Sequence, residues 1–298
     1  KGVRCEWKWT SDLHLCRVWP RTGLALMRRA FRDFPVRLSD SPAISEAFQV
    51  SFVIGHRGVE RLPHLLMTLR SIAGQSGVDL ECIVVEQSTV PEIRDEIPAW
   101  VRYVHTPAAS GLPYCRAWAF NAGAGVARGQ ILVLHDNDML VPERYAAEVV
   151  GRISKGAAFV DAKRFNFYLS EEDSRRILQT GVVQLDRPPQ AIVQNLKGAS
   201  VAATRTAYES IGGFDELFVG WGGEDNDFWD RARTMAVDEF GTLPLIHLWH
   251  PSQPEKAIGE TAPAVSRYRE IERIPPADRI AELRRRRQGS LERPWTGE

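Results

Sequence analysis

"QVSFVIGHRGVERLPHLLMTLRSIAGQSGVDLECIVVEQ", residues Gln49 to Gln87, decides the fold. It opens with a short β-rich run, "QVSFVIG", continues with Leu62, Leu65, Leu66, Leu69 and Ile72 at helical spacing, and closes on a second apolar strand, "LECIVVEQ". Strand, helix and strand in that order make a βαβ unit, whose strands run parallel because the helix returns the chain to the starting edge. The theme repeats in "VRYVHT", in a helical stretch from Pro113 to Val126, and in "QILVLHDND", whose apolar run stops at charged residues. An α/β domain with a mostly parallel central sheet is expected. Such sheets bind ligands beyond the carboxyl ends of their strands, so the residues just after Ile54, Val85 and Leu134 are the first to weigh.

The second half is less regular. "AAFVDAKRFNFYLS" and "GASVAATR" read as strands, Thr204 as the cap of a short helix ended by Gly212, and "LPLIHLWH" as a further strand with histidines at its end. Residues 21–37, "RTGLALMRRAFRDFPVR", set Leu24, Met27, Phe31 and Phe34 opposite several arginines. Docking of this basic amphipathic helix onto the domain is the simpler reading, and peripheral contact with an anionic membrane the sharper one. The tail after Glu255, with "RRRR" at Arg284 to Arg287, reads as a solvated helix or loose tail. The expected organisation is an N-terminal extension over 1–47, one catalytic domain over 48–256 and a charged tail over 257–298.

At 298 residues, with 44% apolar and 26% charged residues, the chain has ordinary globular composition. Its formal net charge of zero argues against a nucleic-acid binder driven by phosphate neutralisation. Cys5, Cys16, Cys82 and Cys115 show no metal-type spacing and read as free thiols. No apolar run approaches the roughly 20 residues of a spanning helix, and no signal-peptide pattern opens the sequence, so a cytoplasmic location is expected.

Three polar clusters lie where an α/β sheet presents ligands. In "HDND", Asp136 and Asp138 stand two apart at a strand end and leave room for a hard divalent cation completed by substrate phosphates. "HLWH" supplies His247 and His250; a lone strand-end histidine usually packs locally, but a carboxylate-plus-imidazole set suits Mn²⁺ better than Ca²⁺. "GWGGEDNDFWDR", Gly220 to Arg231, places Glu224, Asp225 and Asp227 before a helix. The helix macrodipole accounts for the acids, but not for Trp221 or for Gly222 and Gly223, which let the backbone approach something closely. One chemistry uses all three clusters. A cation at Asp138 and His250 neutralises the diphosphate of a nucleotide sugar, while Asp225 or Glu224 takes the proton of an acceptor hydroxyl attacking the sugar carbon with inversion.

At this point the residues resemble a known family. "GASVAATRTAYESIGGFDELFVGWGGEDNDFWDR" and "LIHLWHP" resemble the carboxyl half of the β-1,4-galactosyltransferases and related N-acetylgalactosaminyl and polysaccharide-synthesising transferases. "VSFVIGHRG", "CIVVEQS" and "ILVLHDND" resemble the nucleotide-binding half of family 2 type glycosyltransferases of the GT-A fold, a Rossmann-like nucleotide-diphospho-sugar transferase architecture. The likeness spans roughly residues 49 to 256. It implies an inverting, Mn²⁺- or Mg²⁺-dependent transfer of a hexose or N-acetylhexosamine from a UDP-sugar to a glycan, lipid-linked or small-molecule acceptor.

Carried over residue by residue, Asp138 and His250 match metal ligands, with His247 where the galactosyltransferases have a methionine ligand. Asp136 points to the sugar nucleotide, Asp225 matches the proposed base, Glu224 an acceptor-binding acid and Trp221 the aromatic of the donor and acceptor site, on the loop of Gly222 and Gly223. His56, Arg57 and Glu86 fall where the family binds the nucleotide, Glu86 replacing a more usual Asp. Two rivals stand beside this reading. A metal-dependent phosphohydrolase or nucleotidyltransferase would use the same ligands without needing Trp221, and a non-catalytic carbohydrate-binding protein would tolerate loss of Asp225.

Overall fold

The computed structural model describes residues 10–43, 47–108, 111–252, 259–286 and 288–291. Cys5, Arg287 and the expected boundary at 256 and 257 lie outside them. The first half supplies β1 (Ser11–Asp12), α1 (Leu15–Val18), α2 (Pro20–Asp33), β2 (Val50–His56), α3 (Leu62–Ala73), β3 (Leu80–Ser88), β4 (Arg102–Pro107), α4 (Arg116–Val126) and β5 (Ile131–His135). Next come β6 (Met139–Leu140), α5 (Tyr145–Ile153), β7 (Phe159–Val160), β8 (Lys163–Tyr168), α6 (Glu171–Thr180), β9 (Ala191–Gln194) and β10 (Ser200–Thr204). The chain continues through α7 (Arg205–Ser210), α8 (Glu224–Ala232), β11 (Val237–Asp238), β12 (Leu243–His247), α9 (Pro263–Ile271) and α10 (Pro276–Leu283).

The larger sheet has seven strands in the order β11-β7-β10-β5-β2-β3-β4. β5, β2, β3 and β4 run parallel, and β10 is antiparallel to both its neighbours. Every residue of β2 and β3 is buried, because helices cover both faces. Phe52 and Ile54 face the layer of Leu65, Leu69 and Ile72 from α3, whereas Val53 and Val85 face Ala117, Ala119 and Phe120 from α4. Each buried aliphatic or aromatic side chain here contributes about 1.5–3 kcal/mol of transfer free energy. Thr204 caps α7 as expected, its hydroxyl accepting the Ala207 amide at 3.2 Å.

A second sheet, order β1-β9-β8-β12-β6, is mostly antiparallel and has no counterpart in the sequence reading. "AAFVDAKRFNFYLS" is therefore not one strand. It breaks after Val160, with β7 in the large sheet and β8 in the small one. The Lys163 ammonium, fully buried, pins this crossing by donating to Asp161 at 2.8 Å and to the Ser200 carbonyl at 3.1 Å.

α2 docks on the small sheet. Met27 and Phe31 are buried, and the Phe31 ring meets Phe167 edge-on at 5.4 Å. The segment read as a solvated helix or loose tail instead forms α9 and α10, and α10 is anchored from its inner face. The Arg279 guanidinium donates to Asp227 at 2.7 Å and to Asp230 at 3.3 Å, both on α8. Arg286 of the basic run pairs with Asp215 at 3.1 Å. Cys16, Cys82 and Cys115 are free thiols. Among the described residues no helix is long and apolar enough to cross a membrane.

Candidate functional site

At the end of β5 the chain turns through Asp136, Asn137 and Asp138 into β6, which pairs antiparallel with β12 in the register His247 to Met139. The Leu248 amide then donates to the Asp138 carbonyl at 2.9 Å, so the end of β12 is laced to the acidic turn. This topology brings Asp138, His247 and His250 together, one ligand atom from each lying within 4.8 Å of the others.

The details suit a cation. His250 Nδ1 donates to the Pro251 carbonyl at 2.7 Å, which turns Nε2 towards Asp138 Oδ2 at 3.2 Å. His247 Nε2 stands 3.9 Å from the same oxygen, its ring stacked on Tyr168 with centroids 4.3 Å apart. An imidazole fixed through its other nitrogen is the usual arrangement for a metal-binding histidine. Burial pushes the Asp138 carboxyl up, but His247, His250 and Arg61 outweigh it and hold it well below the usual carboxylate range. Asp138 thus remains a carboxylate. Two imidazoles and one carboxylate form a donor set that fits Mn²⁺.

The second cluster is built around Arg116, at the first position of α4. Its guanidinium donates to Asp136 at 2.7 Å and to Asp225 at 2.9 Å, and lies 3.5 Å from Glu224. Asp136 and Asp138 therefore split between the clusters rather than sharing one ligand. The three acids raise the Arg116 pKa well above its ordinary value despite burial. Burial, followed by the neighbouring Asp225 charge, pushes Glu224 up to about 7, while burial pushes Asp136 up to about 6 against the pull of Arg116.

α8 presents Glu224 and Asp225 in its first turn after Gly223, which has φ of 86°. Gly222 and Gly223 do allow a close approach, but to α9. A Cβ on Gly223 would come within 2.8 Å of the Ala264 carbonyl, and one on Gly222 within 2.6 Å of Val265. Both glycines thus have a packing role at this contact. Gly198 is the residue that clears room beside Asp225, where a Cβ would meet Oδ2 at 2.3 Å. Trp229 of α8 secures that contact by donating to the Lys197 carbonyl at 3.0 Å. Asp227 turns away from the cluster to Arg231 and Arg279, and Trp221 is half-buried on the preceding loop.

The remaining expected residues do stand at strand ends. His56 is fully buried, takes a hydrogen bond from Asn137 at 2.9 Å, and burial lowers its pKa to about 4. Arg57 donates to the Gln87 and Leu112 carbonyls at 2.9 and 2.6 Å. Glu86 accepts from Tyr103 at 2.5 Å and Ser88 at 2.7 Å, and with two backbone amides these bonds outweigh burial and lower its pKa. Glu86 and His56 are both fully buried, so each acts through the neighbours it holds. Sequence reading missed Arg116, Arg61, Tyr168 and Gly198. Arg116 had a signal, a single cation within the apolar run "YCRAWAF".

Family comparison agrees with both halves of this architecture. The glycosyl transferase family 2 model matches residues 59–209, just over half of the chain, and a model described as the N-terminal domain of galactosyltransferase matches residues 189–250. No curated protein matches the chain. Among solved structures, the catalytic domain of Drosophila β1,4-galactosyltransferase 7 in complex with xylobiose is similar at 15% identity over 64% of each chain, with a TM-score of 0.38. This chain thus spans slightly under two thirds of that structure. The mannosyltransferase PcManGT from Pyrobaculum calidifontis, in complex with GDP-Man and Mn²⁺, is similar at 16% identity over 88% of this chain and 82% of its own, with a TM-score of 0.48. With its parallel β5-β2-β3-β4 half and the family match over residues 59–209, the chain belongs to glycosyl transferase family 2 and has the GT-A fold.

Proposed function

We propose that the protein transfers a hexose or N-acetylhexosamine from a UDP-sugar to a carbohydrate or glycoconjugate hydroxyl, with inversion and with Mn²⁺ at Asp138, His250 and His247. The observation that carries this reading is the juxtaposition of that triad with the Arg116, Glu224 and Asp225 cluster, Asp136 lying electrostatically between them. When bound, the cation supplies positive charge to the diphosphate leaving group.

The chain's own residues do the rest. Asp225, oriented by Arg116 and given room by Gly198, accepts the acceptor hydroxyl proton as its oxygen bonds to the anomeric carbon and the bond from that carbon to the UDP oxygen breaks. Glu224, beside it, binds an acceptor hydroxyl, and Trp221 offers an apolar face to a sugar ring. The exposed, arginine-rich side of α2 keeps a lipid-linked acceptor at a membrane surface among the candidate classes. A phosphohydrolase would leave the Glu224 and Asp225 arrangement without a task, and family membership favours transfer.

The test is calorimetric titration of UDP with and without Mn²⁺, on wild type and Asp138→Ala. Mn²⁺-dependent UDP binding lost in the variant is the expected result. Absence of UDP binding under every condition would remove the donor assignment.

A further inference from the structure

Arg61 ends the short 3₁₀ turn Val59–Arg61 that follows β2, and it stands at the entrance to α3. Its guanidinium donates to Asp138 Oδ2 and lies 3.5 Å from the Asn137 amide oxygen. That same Oδ2 faces His250 Nε2 at 3.2 Å and His247 Nε2 at 3.9 Å. One carboxylate oxygen therefore has two claimants, a permanent cation belonging to the protein and whatever cation the triad holds. A guanidinium does not lose its charge at any working pH. With the Asp138 side chain only 10% exposed and Arg61 19%, little water is available to screen one positive charge from another.

We propose that Arg61 couples the cation to the donor's diphosphate. In the unloaded protein it is the counter-charge of Asp138, and it is released to the diphosphate when cation and nucleotide are both bound. This rests on the function proposed above. A guanidinium displaced from a carboxylate needs another anion, and a diphosphate offers paired oxygens matched to its fork. Each ligand then removes the obstacle to the other. Arg61 blocks the cation until an anion draws it away, and it reaches the anion only after leaving Asp138. Reciprocity of this kind is obligatory for coupled equilibria, and coupling of 5- to 150-fold is ordinary.

The test is Mn²⁺ titration followed by the electron paramagnetic resonance signal of the free ion, with and without saturating UDP, on wild type, Arg61→Gln, Arg61→Met and Arg61→Lys. Removing the charge should tighten nucleotide-free Mn²⁺ binding about tenfold and shrink the gain produced by UDP by at least the same factor. Arg61→Lys, which keeps the charge but not the fork, should stay within about threefold of wild type in nucleotide-free Mn²⁺ affinity. Unchanged nucleotide-free affinity in both charge-removing variants would overturn the coupling, as would a lysine variant that behaves like them. If wild type takes up no Mn²⁺ even with UDP, the proposed function falls and this inference with it. If wild type binds Mn²⁺ with UDP but removing the Arg61 charge has no effect, the inference falls alone.

Discussion

The Arg116 guanidinium meets the Asp225 carboxylate at 2.9 Å, from a helix that begins 109 positions earlier in the chain. The same group serves Asp136 and approaches Glu224, so one cation holds three acids in a confined space. Arg116→Gln leaves those acids to repel one another. It is expected to cost about 3 kcal/mol in denaturant unfolding, at the lower end of the range for a broken buried pair because the side chain retains some exposure. Arg116→Lys should recover part of that loss. Equal stability of Arg116→Gln and wild type would show that the acids are screened by something other than this residue.

Asp225→Asn keeps the shape and the contact with Arg116 but removes the proton acceptor. Sugar transfer should fall by about 10²- to 10⁴-fold, while UDP and Mn²⁺ affinities change little. Transfer at the normal rate would defeat the base assignment.

Glu224 gives a dependence on pH with a definite sign. Its folded pKa, about 7, lies above the value of an unfolded glutamate, so the folded state binds the proton more tightly. The stability associated with that proton is fully present at pH 4 and is lost as pH rises through 7. Glu224→Gln removes the loss. The variant should match or trail wild type below pH 5 and exceed it at pH 8 by up to about 3 kcal/mol in thermal or denaturant unfolding. A stability difference that does not vary between those pH values would mean that Glu224 is ionised normally.

Strand positions in the larger sheet were legible because its central strands are buried on both faces and read as continuous apolar runs, as in "SFVIG", "CIVV" and "ILVL". Asp138, His247 and His250 were legible as candidates for a different reason, their place at or just past strand ends. Their common neighbourhood depends on the pairing of β6 with β12, over a hundred residues apart, which no local pattern encodes. The small sheet was hidden because β1, β6 and β9 are too short for periodicity to register. Arg116 and Arg61 were overlooked because a cation's partner is fixed by tertiary packing. The packing of Gly222 and Gly223 on α9 was not foreseen because that helix lies beyond the residues that carry the family likeness.

The contact of Gly223 with α9 and the grip of Arg279 on Asp227 tie the acidic helix to residues beyond 259, past the end of the galactosyltransferase match at 250. The unit that natural recombination or a protein engineer can exchange between related transferases is therefore larger than the stretch they visibly share. A chimera joined at the edge of the likeness would inherit every carboxylate of the site and lose the wall against which their helix is braced.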